Sequence, residues 1–247
     1  MKIFAHRGAS GDYPENTMLS FKKAIDLGIK AIELDVHMSK DCNLVVIHDE
    51  NIKRTFKGDG LVKDYTYDEL KNFKCKKSEY INNDLCKIPT LEEVLKLIND
   101  NNIYLNIEAK TDLIHYDLEK DVLNLIEKYN LEDSVLISSF NHKCINIFKS
   151  LNPNLKYGAL YHTKDDFKGF TNVIEHAKNL GVYSINLNHQ LVDRYLVNLA
   201  HKNNLKVFVY TVNDPILMKN MIEYEVDGVF SDYPDLIRDI LNSEESK

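Results

Sequence analysis

Ala31 to Glu50, AIELDVHMSKDCNLVVIHDE, decides how the rest of the chain can fold. Its first half is an apolar run interrupted by two carboxylates, Glu33 and Asp35, at alternate positions. A β-strand sends residues two apart to the same face, so the two acids project together. A polar turn, Ser39-Lys40-Asp41-Cys42-Asn43, leads to a second apolar run, Leu44 to Ile47, that ends in His48-Asp49. An antiparallel hairpin turning near Asp41 sets His48 opposite Asp35. Buried strands are normally filled with Val, Ile and Leu, because charge taken out of water must be paired. Two acids and a histidine at one end of a buried strand pair therefore point to function. No basic residue of matching parity stands in this stretch to neutralise Glu33 and Asp35, and a metal cation would do so.

Outward from the hairpin, strand and helix signals alternate. Lys2-Ile3-Phe4-Ala5 reads as a strand that delivers His6-Arg7-Gly8-Ala9-Ser10-Gly11 into a loop, and a helix follows from about Asn16 to Leu27. Asn51 to Lys87 loses periodicity. It is Lys-rich, carries Phe56, Tyr65, Tyr67, Phe73 and Tyr80, and reads as an insertion (about 51–88) leaning over the site. After Pro89 the alternation resumes, with the capping-box signature Thr90-Leu91-Glu92-Glu93 opening a helix. Strands are expected at 103–109, 135–139, 156–160, 183–187, 206–210 and 228–230, each separated from the next by a helix. Leaving out the hairpin's return arm, the count is eight, which suits a closed (β/α)8 TIM barrel in a single domain, residues 1–247. Strand-end residues His6, Arg7, Glu33, Asp35, Glu108, Lys110, Phe140 and Ser231-Asp232 then share one rim, the end where such barrels do chemistry.

Bulk properties exclude several classes. A net charge of −7 argues against a nucleic-acid partner, whose backbone selects basic surfaces. No run reaches the length of a membrane span and no basic amphipathic stretch marks a membrane face, so stable membrane insertion is not expected. The start, MKIFAHRG, does not read as a signal peptide, and Cys42, Cys75, Cys86 and Cys144 show no CxxC spacing. Free thiols in the cytoplasm are the expectation.

HRGAS, PENT, ELDV, VVIHD, IEAK, SSF, VYTVND and DGVFSDYPD, in this order from His6 to Asp235, resemble the glycerophosphodiester phosphodiesterase family. HRG or ExD alone would be weak; four motifs on one barrel rim are specific. The resemblance implies a phospholipase C-like barrel that hydrolyses a small-molecule glycerophosphodiester to glycerol 3-phosphate and an alcohol. It implies that His6 and His48 are the acid/base pair, that Glu33, Asp35 and Glu108 hold one divalent cation, and that Arg7 and Lys110 contact the phosphate. The family's usual picture has a glycerol hydroxyl attack first and water then open a cyclic phosphate. Three carboxylates independently form a hard oxygen site suited to Mg2+ or Ca2+. Blander readings stand beside these: Arg7 as an ion-pair partner of Glu33 or Asp35, Glu108 and Lys110 pairing with each other, Asp49 turning the chain after His48, and Glu15 and Asn16 bracing the rim. His37, of opposite parity to Asp35, is expected to face outward. Where many members carry Trp in a WTVN motif this chain has Tyr210, which with Phe140 would wall the alcohol pocket and adds a hydroxyl there. Rival functions are a lysophospholipase D-type or phosphoinositide-type lipid phosphodiesterase, and a non-catalytic phosphodiester-binding protein.

Overall fold

The structure is a computed structural model and describes residues 1–114 and 116–245. Eight strands run parallel: β1 (Lys2–His6), β2 (Ala31–Met38), β4 (Tyr104–Ala109), β5 (Val135–Ser139), β6 (Lys156–Tyr161), β7 (Ser184–Asn188), β8 (Lys206–Tyr210) and β9 (Gly228–Ser231). The ninth, β3 (Leu44–Val46), is antiparallel to β2. The sheet closes because β1 pairs with β9 on one side and with β2 on the other, so the TIM barrel expected from the alternation of elements is what forms. The helices α1 (Met18–Asp26), α3 (Leu91–Asn101), α4 (Glu119–Lys128), α5 (His142–Leu151), α6 (Val173–Leu180), α7 (Arg194–Lys202) and α8 (Pro215–Glu223) lie in the connections, and α9 (Pro234–Glu245) follows the last strand. Their starts follow local chemistry. Thr17 and Thr90 each close a capping box, and Asp214 caps α8 with Pro215 in its first turn.

Alternation along the strands sorts the interior. Phe4, Ala31, Leu136, Phe208 and Phe230 plug the barrel's lower half, with the Phe4 and Phe230 rings stacked at 4.7 Å. Two residues further along the same faces the plug gives way to His6, Glu33, Ser138, Tyr210 and Asp232, so apolar packing below forms the floor of a polar chamber above. The outer strand faces (Ile32, Leu34, Leu105, Ile107, Ile137, Ile185 and Val207 among them) pack on the helices in the larger core.

Two expectations are corrected. The hairpin register is one residue off: Val36 pairs with Val46, and the Ile47 amide donates to the Asp35 carbonyl, so Ile47 rather than His48 stands opposite Asp35. His48 lies just beyond the ladder, where the chain leaves the barrel wall. Second, the segment 51–88 does not lean over the mouth with its aromatics. It is built of 3-10 turns and one short helix, α2 (Tyr67–Leu70), around a buried cluster of Ile52, Phe56, Val62, Leu70, Cys75, Cys86 and Ile88. That cluster includes Leu19, Val45 and Ile47, and Tyr65, Tyr67, Phe73 and Tyr80 pack against it. The aromatics expected to wall a substrate instead close a satellite core behind the hairpin.

Candidate active site

At the C-terminal end of the strands a cavity of about 390 Å3 is lined by His6, Arg7, Glu33, His48, Asn106, Glu108, Phe140 and Tyr210, with Leu160, His162, Asn188, His189, Thr211 and Phe230 on the far side. Asp35 and Lys110 are buried outside this lining, Asp35 grouped with Glu33 and Glu108 and Lys110 bonded to Glu108.

The acids converge because β1, β2 and β4 are neighbours in the barrel: His6 pairs in register with Glu33, and Asp35 with Glu108. One oxygen from each of Glu33, Asp35 and Glu108 lies within 4.8 Å of the others, and among the described residues no other His, Cys, Asp or Glu group is so arranged. Glu33 Oε1 and Asp35 Oδ1 are buried without a hydrogen-bond partner. Burial, then the Asp35 and Glu108 charges, push the Glu33 carboxyl well above its usual range. Burial also opposes ionisation of Asp35, but Arg7, His48, Lys110 and the Asn16 amide outweigh it and hold its pKa down. Asn16 Nδ2 donates to Asp35 Oδ2 at 2.8 Å, which is the bracing expected of Asn16.

The acids are not without cations, contrary to the reading from the hairpin alone. Arg7 Nε stands 3.3 Å from Asp35 Oδ2, and Lys110 Nζ donates to Glu108 Oε1 at 2.8 Å. Neighbouring carboxylates overcome the effect of burial and keep both side chains charged. Arg7 reaches the acids from the loop after β1, where its backbone is left-handed (φ 59°), a region non-glycine residues rarely occupy. Four hydrogen bonds hold it there: its N–H donates to the Glu33 carbonyl and to Glu33 Oε2, and its carbonyl accepts from Asn16 N and Ser20 Oγ. Gly8 follows with φ +81°, and a Cβ there would stand 2.6 Å from the Ser20 backbone, so only glycine lets this loop close on α1.

Each histidine is aimed by a carboxylate. His6 Nδ1 is 2.6 Å from Asp232 Oδ1, and His48 Nδ1 is 2.7 Å from Asp49 Oδ1. Asp232 is itself gripped: Asn213 Nδ2 donates to Oδ2 at 2.7 Å and Ser10 Oγ to Oδ1 at 3.0 Å. Burial pushes the Asp232 pKa up, but the His6 hydrogen bond and charge, with Asn213 and Ser10, bring it to about 2. The backbone of His48 is fixed from behind by His37, whose Nε2 lies 3.0 Å from the His48 carbonyl and whose Nδ1 lies 3.2 Å from the Tyr116 hydroxyl. A carbonyl can only accept, so His37 carries its proton on Nε2 and takes the Tyr116 hydroxyl on Nδ1. Burial lowers its pKa. His37 thus does not face outward to solvent; it is fully buried.

Tyr210 turns its hydroxyl away from the cavity to donate to the Tyr161 carbonyl at 2.8 Å, and its ring meets Phe140 edge to face at 6.0 Å. The pocket therefore sees an aromatic wall, and the hydroxyl adds no polarity to it. Tyr210→Phe should leave kcat/KM within about twofold while Tyr210→Ala lowers it through KM, since a lost wall is lost uniform binding; equal losses in both variants would put the hydroxyl in the reaction. Sequence reasoning missed Asp232 as the His6 partner, Asp49 as the His48 partner, His37 behind His48, and the far wall of His162, Asn188, His189 and Thr211.

Residues 6–236 match the glycerophosphoryl diester phosphodiesterase family. The chain belongs to that family. It is accordingly a phosphodiesterase, a hydrolase. Glycerophosphodiester phosphodiesterases of Bacillus altitudinis and Caldanaerobacter subterraneus are 40% and 39% identical to it, over 95% of each chain. Among solved structures, an Oleispira antarctica phosphodiesterase in complex with the product sn-glycerol-3-phosphate superposes with a TM-score of 0.85 at 29% identity, covering 98% of this chain and 97% of that one. No helix among the described residues is long and apolar enough to cross a membrane.

Proposed function

We propose that this family member hydrolyses glycerophosphodiesters to glycerol 3-phosphate and an alcohol by acid–base catalysis between His6 and His48. One observation carries this reading: two cavity-lining imidazoles flank a three-carboxylate cluster, and each has its Nδ1 engaged by an aspartate. An Nδ1–H donated to Asp232 or Asp49 leaves Nε2 without a proton, the form a general base needs, and His6 Nε2 stands 4.0 Å from Glu33 Oε2. One imidazole takes the proton of the attacking hydroxyl as the new P–O bond forms. The other, protonated, gives its proton to the departing alcohol oxygen as the old bond breaks. The protonation states are then exchanged and poised for the step in which water opens a cyclic ester.

The partnerless oxygens of Glu33 and Asp35, and the hard oxygen donors set together by β2 and β4, fit a divalent cation, Mg2+ or Ca2+, held by Glu33, Asp35 and Glu108. Such a cation, when bound, neutralises a non-bridging phosphate oxygen and the charge that grows on it. Arg7 and Lys110 are the chain's own cations toward the phosphate, and Phe140 and Tyr210 the wall against its alcohol. We read residues 1–247 as one domain and its substrates as small cytoplasmic phosphodiesters.

The test is release of phosphate monoester from glycerophosphocholine, glycerophosphoethanolamine and a lysolipid, each with and without added Mg2+ or Ca2+. Turnover of the water-soluble diesters is expected; turnover of the lysolipid alone would replace this substrate class with a lipid one. Asp232→Asn should lower kcat by about tenfold to a hundredfold with KM little changed, the usual loss when an orienting partner is removed. An unchanged kcat would mean that His6 needs no orienting carboxylate.

A further inference from the structure

The segment after His48 returns one side chain to the site. Arg54 ends a 3-10 turn (Ile52–Arg54) whose Ile52 is buried in the satellite core. Its Nε donates to Asp49 Oδ2 at 2.5 Å, and Asp49 Oδ1 is the oxygen held by His48 Nδ1. Its Nη1 and Nη2 donate to the two oxygens of Glu15 at 2.6 and 2.7 Å, and Glu15 Oε1 also accepts from Arg7 Nη1 at 2.9 Å. The contacts run unbroken from His48 through Asp49, Arg54 and Glu15 to Arg7. We propose that Arg54 is a positioning residue for the phosphodiester reaction, locking the His48 imidazole and the Arg7 guanidinium into one frame through Asp49 and Glu15.

This rests on the roles given above to His48 and Arg7. Arg54, Asp49 and Glu15 stand outside the cavity lining, and all three guanidinium nitrogens of Arg54 are engaged by the Asp49 and Glu15 carboxylates, so the arginine acts through those neighbours. Only a planar guanidinium offers N–H groups on two edges at once, one edge for each carboxylate; a lysine ammonium is a point charge that suits one of them. The Arg54 side chain is 46% exposed, and ion pairs that wet add about 0–1 kcal/mol to stability. Fold stability therefore gives little reason for so elaborate a clamp, whereas the two groups at its ends both line the cavity. The satellite core thereby has a function other than covering the mouth: it holds the turn that presents Arg54.

The experiment compares Arg54→Ala and Arg54→Lys with the parent full-length chain on a glycerophosphodiester that the parent turns over. Arg54→Ala should lose about tenfold to a hundredfold in kcat with KM and Tm nearly unchanged, the scale of losing a second layer of support. Arg54→Lys should recover only part. Free guanidinium at millimolar concentration should enter the half-exposed gap and restore rate to Arg54→Ala alone. The double variant Asp49→Asn/Arg54→Ala should lose less than the two single losses combined, because both break the same chain. A binding-independent readout runs alongside: ring 15N shifts of His48 should show a defined Nδ1–H tautomer in the parent and a mixed one in Arg54→Ala. An unchanged kcat with unchanged His48 shifts would overturn the proposal. A parent inactive on every glycerophosphodiester would instead remove the functional reading, and the His48 shifts alone would then decide whether Arg54 positions that ring.

Discussion

His48→Ala and His6→Ala should each lower kcat by roughly a hundredfold or more, the usual worth of a positioned acid or base. Structural damage is not the cause to expect. Both imidazoles stand at the cavity wall, partly exposed, and neither fills the apolar core. Circular dichroism and melting curves should therefore stay close to the parent. The decisive measurement is the double variant. A proton taken by one histidine is matched by a proton given by the other in the same displacement, so once either is absent the second has little left to contribute. The double variant should lose far less than the product of the single losses, as residues acting as a unit do. Independent, multiplicative losses would show two separate functions and break the assignment of an exchanging pair.

How far the sequence carries the site depends on where the determining contacts lie. Glu33 and Asp35 could be read as a pair because strand alternation is a local property, and Glu108 joined them once eight strands implied closure. Closure is also what made His6 and Asp232 neighbours across 226 positions, yet no local pattern says that Asp232 takes Nδ1 of His6; only the address after the last strand hinted at it. His37 obeys its parity, pointing away from Asp35. What parity could not tell is that this outer face is roofed by Tyr116 and by the chain turning at His48. The hairpin register slipped by one because β3 is only three residues long, and the ladder ends before His48. Arg54 ends a 3-10 turn, and the inserted aromatics are scattered over short turns, a bridge and the one-turn helix α2, so no periodicity marks them and nothing local distinguishes an arginine that reaches back to Glu15 from one that meets solvent. The same holds for His162, Asn188, His189 and Thr211, which follow or end β6, β7 and β8 and meet only when the barrel is closed.

Chelation should abolish turnover, and Mg2+ or Ca2+ should restore it, with a thermal signature that does not depend on activity. In the metal-free chain Glu33 ionises against burial and two neighbouring carboxylates, which raises its pKa in the folded state only. For an acid whose pKa is raised by folding, the folded state holds the extra proton between the ordinary and the raised value. Stability is therefore greatest at the acid side of that window and falls as pH rises through it. The chelated parent should melt at a higher temperature as pH is lowered from neutral into the window, before acids with depressed pKa values such as Asp35 and Asp232 begin to protonate. Glu33→Gln removes the charge and should flatten that dependence, melting no lower than the parent when both are chelated. Adding the cation should reverse the order. At a hundredfold excess over Kd, binding to the folded state alone adds about 2.7 kcal/mol. For a chain of this length that is about 5–10 °C in Tm. The parent should gain it and Glu33→Gln should gain little. A parent whose Tm and turnover both ignore chelation would leave Glu33, Asp35 and Glu108 as a charge cluster balanced by Arg7 and Lys110 alone.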